Sequence, residues 1–303
     1  MPDPDSTPKS LHRLCVDNPR FAVPPLFWTS QHLAAVNCSF RQVDDIHTDD
    51  VKPRHDHDDY LTECAEMLAT SPRAHMKAFW LDEILIRPDG CLNYDTDIVT
   101  FCFAKRRIFQ VHCCVVRVDE SLKSSVDPII GFYHYNVDQE RQNMLHVKPA
   151  PRGQINNPVK RLHDHKFRRV TPPDWRNDPY IFCVLLTMAQ DSWRASPRKG
   201  SYPTRLLITH QSEQTHAYVF KADIPYQLLK SLDNPKRSMN DFVFPLINYT
   251  PIPFQPYSTF SERIEIHLLG PQHPSLLLST EPRCEKRKCD ILDEAACKVR
   301  KLG

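Results

Sequence analysis

Apolar positions along the chain change period several times, and each change predicts an element. Leu61, Ala65 and Leu68 fall four and three apart, which predicts a helix with one buried face. Leu81 to Arg87 is a short apolar run ending at Pro88-Asp89-Gly90, where Pro presets φ and Gly accepts a positive one. That triplet predicts a hairpin returning through Cys91 to Tyr94. Ile98 to Ala104, Ile108 to Val118 and Pro128 to Tyr135 are β-branched or aromatic runs between charged breaks and predict further strands. A sheet of four to five strands follows from these runs.

Residues 137–177 show no clear period and hold prolines at 149, 151, 158, 172 and 173, so they are expected to form a long loop. The core resumes at Asp178-Pro179, an acid at the N-cap with Pro at the first helical position. The helix it opens is apolar nearly all round, from Ile181 to Trp193, and such a helix is buried. Thr204 to His210 and His216 to Ala222 read as a strand pair, and Leu228, Leu229 and Leu232 as a short helix from near Pro225 to Asn234-Pro235. Phe242 to Asn248 reads as another strand. Thr259 and Glu262 form a capping-box pattern for a helix through Phe260, Ile264 and Leu268 that stops at Gly270-Pro271.

The ends have a different character. Residues 1 to about 25 are polar and proline-rich, and residues 41–59 hold seven acids against three basic residues with no period. Residues 1–56 are therefore expected to be a disordered, acidic region, and residues 271–303 a charged tail. Between them, residues 57–270 are expected to form one α+β domain, its mainly antiparallel sheet packed on the helix from Pro179. No internal repeat is present.

Composition narrows the function classes. Average usage would place roughly 21 glycines and 15 prolines in a chain of this length. This one has 303 residues with 6 Gly and 27 Pro. Its glycines lie far apart, so the clustered loops that let backbone approach a phosphate are missing. No dinucleotide fingerprint, P-loop or nucleophile-elbow motif occurs. The 11 cysteines are an odd number and the opening MPDPDSTPKS lacks an apolar stretch, so the cysteines are read as reduced small hydrophobes in a cytoplasmic protein. No apolar run reaches membrane-spanning length. The net charge of +2 selects no partner.

The segments DPYIFCVLLTMAQ, RLLITHQ, HAYVFKADIPYQLLKSLDNP and INYTPIPFQPYSTFSERI, within residues 178–270, resemble a family of uncharacterised proteins of filamentous fungi. The resemblance implies a fungal, intracellular protein. It implies no activity, cofactor or catalytic residue.

Candidate chemistry is sparse. His55, His57 and Asp59 match the H-x-H-x-D part of the zinc motif of metallo-β-lactamase-like hydrolases, but Tyr60 stands where that family has its next histidine. His163 and His165 flank Asp164 in a second such string. Zinc needs three or four preorganised ligands, so these five residues are weak metal candidates and no cofactor is expected. A nuclease of the PD-(D/E)XK kind would need a carboxylate two residues before Lys105 or Lys221, and Phe103 and Val219 stand there. Between 148 and 176, eight basic residues face only Asp164 and Asp174. Lys160, Arg161, Lys166, Arg168 and Arg169 are the densest part, with Phe167 and Trp175 interleaved, a pattern suited to phosphates and bases. Arg283, Lys286, Arg287 and Lys288, with Lys298, Arg300 and Lys301, form a bipartite basic tail that would suit nuclear import.

The expected function is therefore a non-catalytic one, exercised through contacts with another protein. One alternative is an enzyme or accessory protein of fungal secondary metabolism. The other is nucleic-acid binding through the basic segment, or a degenerate nuclease-like fold.

Overall fold

The computed structural model describes residues 10–44, 59–87, 90–122, 127–145, 149, 151–154, 156–240, 242–271 and 273. In chain order the elements are α1 (Leu11–Asp17), α2 (Ser30–Ala35), β1 (Phe40–Gln42), α3 (Asp59–Thr70), α4 (Ala74–Leu85), β2 (Leu92–Phe103), β3 (Arg106–Val118) and β4 (Ile129–Tyr135). They continue with α5 (Val137–Met144), α6 (Asn157–Val170), α7 (Pro179–Ala195), β5 (Ser201–His210), β6 (His216–Pro225), α8 (Tyr226–Asp233), β7 (Ile247–Pro253) and α9 (Phe260–Leu269). The strands form one mixed sheet in the order β1-β7-β6-β5-β4-β3-β2. The β1–β7 and β4–β5 pairs are parallel and the other four are antiparallel. The chain is thus an α+β single domain with a mainly antiparallel sheet.

The middle of the sheet is covered on both faces, which explains its continuous apolar runs. On β5, Leu206 and Leu207 point to opposite faces and both are fully buried. Leu206, Tyr133 and Phe220 join one core with α7 and α8, while Leu207, Phe132 and Val219 join another with α3, α4 and α9. The sequence reading foresaw the first helical layer and not the second.

Helix α7 begins where Asp178 accepts from the Tyr180 N–H at 2.8 Å, and every residue from Pro179 to Gln190 is buried. Its two polar side chains in that stretch are satisfied at home. Thr187 donates to the Cys183 carbonyl at 2.7 Å. Gln190 clamps the Cys102 backbone, accepting from its N–H at 3.0 Å and donating to its carbonyl at 2.8 Å.

Five expectations are corrected. Leu81 to Arg87 is not a strand: Leu81, Ile84 and Leu85 lie in α4, whose buried face also includes Lys77. The period i, i+4, i+7, i+8 was masked because a lysine fills a core position. Its ammonium donates to the carbonyls of Leu68 at 2.7 Å and Ala69 at 3.3 Å, satisfying the open C-terminal end of α3. Residues 137–177 are not one loop but carry α5 and α6. Residues 10–44, expected within a disordered region, form α1, α2 and β1, and β1 lies parallel to β7 with Phe40 opposite Ile247. The last strand starts at Ile247 rather than Phe242, whose ring instead packs beside Phe244 on the α7 face. The capping box of α9 does not form: buried Glu262 accepts from the Ser261 hydroxyl at 2.9 Å, and the Thr259 side chain makes no capping bond.

Candidate functional site

Asp59 opens α3 and is exposed. His55 and His57 lie outside the described residues, so the first metal string is not assembled here. His163 and His165 sit on α6, and two residues of helix turn them onto different faces. His163 lies 3.1 Å from the Asp164 carboxylate and stacks on Phe167. Among the described residues no group of three or more His, Cys, Asp or Glu side chains is placed to hold a metal.

The densest part of the basic segment lies on helix α6. Asn156 caps α6 by accepting from the Val159 N–H at 3.3 Å, and Pro158 sits in its first turn. Val159, His163, Phe167 and Val170 recur at spacings of four, four and three and are half-buried, yet no residue of α6 is fully buried. Lys160, Arg161, Lys166, Arg168 and Arg169 are all exposed. Arg161, His165, Arg168 and Arg169 fall on the flank opposite the half-buried stripe. Arg168 donates to the Asp164 carbonyl at 3.3 Å, and none of these five basic residues makes an ion pair among the described residues. Arg168 and Arg169 also lie in the last turn, where the helix dipole favours cations.

Two other polar clusters turn out to be closed. Arg141 and Asp178, both fully buried, pair through two parallel hydrogen bonds of 2.7 and 2.8 Å. Tyr135 donates to the same carboxylate at 2.6 Å, and Arg141 Nε donates to the Leu26 carbonyl at 2.7 Å. These bonds tie α5, β4, α7 and the turn at Leu26 together and leave no room for a ligand. At the C-terminal ends of the parallel pair β4–β5, where open α/β sheets often bind ligands, Trp175 is wedged. It stacks on His210 at 5.1 Å and meets Tyr218 edge-on at 5.1 Å. Arg176 donates to the Tyr218 hydroxyl at 3.2 Å.

The open surface lies at β3. This strand has 13 residues, but β4 pairs with it only through Cys114, Val115 and Val116. From Arg106 to His112 the strand has β2 on one side and no strand on the other among the described residues. No other backbone hydrogen bond among them reaches that side. Between this edge and α5 runs a groove of about 710 Å³, floored by Leu26 and Tyr180 and walled by Phe109 and Met144. Ile108 and Met144 are about half exposed beside it.

Its polar lining comprises Glu140 and Asn143 on α5, Arg107, Gln110 and His112 on β3, and Thr100 on β2. Burial pushes the Glu140 carboxyl upward, while the Tyr133 hydroxyl and His112 pull it back. Tyr133 donates to Asn136 Oδ1 at 2.8 Å, with Glu140 Oε1 at 3.4 Å. At the mouth, β2 and β3 are joined by Ala104 and Lys105, both with positive φ (51° and 62°), as a two-residue hairpin of right-handed twist requires. Lys105, Arg106 and Arg107 are exposed there, and none makes an ion pair among the described residues.

Sequence reasoning assigned none of the groove residues to a site. The groove carries no motif, and its only trace is that the run feeding β3 is longer than the run feeding β4. Neither a family model, nor a curated protein, nor a solved structure matches the chain.

Proposed function

We propose that the protein works through contact with another protein, without chemistry of its own, and that the groove between β3 and α5 is the contact surface. The observation that supports this reading is the run of β3 from Arg106 to His112, which among the described residues has no strand on one of its two sides and lies beside a groove lined in part by apolar side chains. The exposed Ile108 and Met144 give it the apolar centre that protein contacts use. An intracellular, reducing setting fits the eight described cysteines, none of them in a disulfide among the described residues and most of them buried as packing groups. No helix among the described residues is long and apolar enough to cross a membrane.

A photo-reactive amino acid placed at Met144, and separately at the still more exposed Val243, tests the surface in cells. A discrete adduct from position 144, absent from position 243 and abolished by Ile108→Asp, is the expected result. The same adducts from both positions would sink the reading.

A second reading, nucleic-acid binding, is favoured by one feature. Helix α6 holds five exposed cations that make no ion pair among the described residues, and none of its own residues is buried. Salt dependence decides it, because each phosphate contact on a single strand contributes a slope of about −0.7.

A further inference from the structure

Resting on the groove reading above, we infer that the occupant is an extended, acidic segment of a partner protein that adds to the sheet as a strand beside β3. Seven residues, Arg106 to His112, run along the open side. At about 3.3 Å per residue they present an edge of roughly 23 Å, enough for six or seven residues of a partner. In an antiparallel pair every second residue turns its N–H and C=O away from its neighbour. The outward groups of β3 therefore await a main chain, and strand addition is the binding mode that satisfies them. The partner's alternate side chains would then drop towards Phe109, Tyr180 and Met144, which line the groove.

Charge selects the sign of the partner. Lys105, Arg106 and Arg107 sit together at one end of the edge, exposed and without a carboxylate among the described residues. His112 is exposed at the other end. The run RRIFQVH holds no acid. A second copy of this chain would bring the strand's own cations, Arg106 and Arg107, to the same edge and no acid from its own strand, so charge disfavours self-pairing, as edge lysines and arginines do in other sheets. An acidic strand meets complementary charge and gains in association rate as well.

Three fluorescein-labelled octapeptides and the full-length protein test the inference by anisotropy: alternating Val-Glu, alternating Val-Lys, and Val-Glu carrying an N-methyl group on every second residue. Val-Glu is expected to bind, and amide exchange across residues 106–112 to slow in its presence. Charge reversal by Arg106→Glu with Arg107→Glu should weaken it by about tenfold or more. Both residues are exposed, so an unchanged melting curve verifies the fold of the variant. N-methylation should cost a similar factor, since it removes the donors that strand addition needs. Equal binding of the N-methylated peptide would overturn strand addition and leave the contact surface standing. Tighter binding of Val-Lys would overturn the acidic partner. Exchange protection of residues 106–112 that rises with protein concentration alone, with a doubling of mass, would assign the edge to a second copy. Failure of every peptide to bind would overturn the inference, and the cross-link from Met144 would then judge the groove separately.

Discussion

Helices α6 and α7 are alike in length, 14 and 17 residues, and start with the same local grammar: a side-chain cap and a proline in the first turn. One buries no residue and the other buries twelve. Starting signals therefore decide where a helix begins and nothing about where it sits. Distribution of apolar residues decides that. In α7 they cover the whole circumference, so every face can be packed, against the sheet on one side and α2 and α8 on others. In α6 a narrow stripe of Val159, Phe167 and Val170 anchors one side, and the exposed remainder is mostly polar and rich in cations. One helix makes the fold, and the other is a surface attached to it.

The largest expected effect tests whether the start of α7 is the anchor of that difference. Arg141→Leu strands the fully buried Asp178 carboxylate, and breaking a buried pair by removing one partner costs about 3–5 kcal/mol. Thermal melting should register a collapse of the midpoint or loss of folded protein. A midpoint within a few degrees of wild type would show that the pair is dispensable.

Next come matched truncations on the two helices. Leu185→Ala removes a fully buried side chain and should cost about 2–5 kcal/mol. Leu162→Ala on α6 trims a side chain that is 54 % exposed and should stay within about 0.5 kcal/mol. Denaturant titrations that gave equal losses would erase the contrast.

Acid sharpens the same contrast between buried and exposed groups. Burial, with Lys77 and His210 nearby, lowers the His134 pKa to about 4 in the folded state. The unfolded chain then binds the proton first, so stability is full above about pH 6.5 and falls as pH drops from there towards 4. Asp82, raised to about 6 by burial with Asp97 and Glu83, pulls the other way over most of that window, from about pH 6 downward. The difference between wild type and His134→Gln isolates the histidine: the variant should lose less stability between pH 6.5 and 4. Coincident profiles for wild type and His134→Gln would refute the assignment.

The smallest effect on stability concerns the cations of α6. Replacing Lys166, Arg168 and Arg169 by Ala should leave the melting curve unchanged. If α6 contacts phosphates, the same variant should flatten the salt slope of single-strand binding by about two units. The expected affinity at physiological salt lies in the non-specific range of about 10⁻⁴–10⁻⁶ M. Sub-micromolar binding abolished by the triple variant would instead make nucleic acid the partner.

What could be read in advance followed the strength of local signals. The helix from Pro179 and the strand runs feeding β3, β4, β5 and β6 were legible because their apolar periods are long and their ends marked by Pro, Asp or charged breaks. Helix α4 was not, because a lysine completes its buried stripe, and only the nearby carbonyl end of α3 makes that position tolerable. Helix α6 was not, because five prolines around it suggested a loop while Pro158 was opening a helix. The five basic candidates were found as a cluster, but their presentation on the exposed surface of a helix was not. None of the groove residues was assigned to a site.

By itself, then, the sequence determined the class of fold, the buried central helix, the lack of phosphate-gripping glycine loops and the position of the basic cluster. Each follows from residues close together in the chain, where period and composition act directly. Tertiary structure alone decided the second helical layer, the parallel docking of β1 on β7, the pairing of Arg141 with Asp178 and the open edge of β3. Each of these joins segments far apart, or arises from the failure of two strands of unequal length to pair along their whole extent. A hydrogen-bonding edge is left open by what a neighbour lacks, and no local pattern in the strand itself records that.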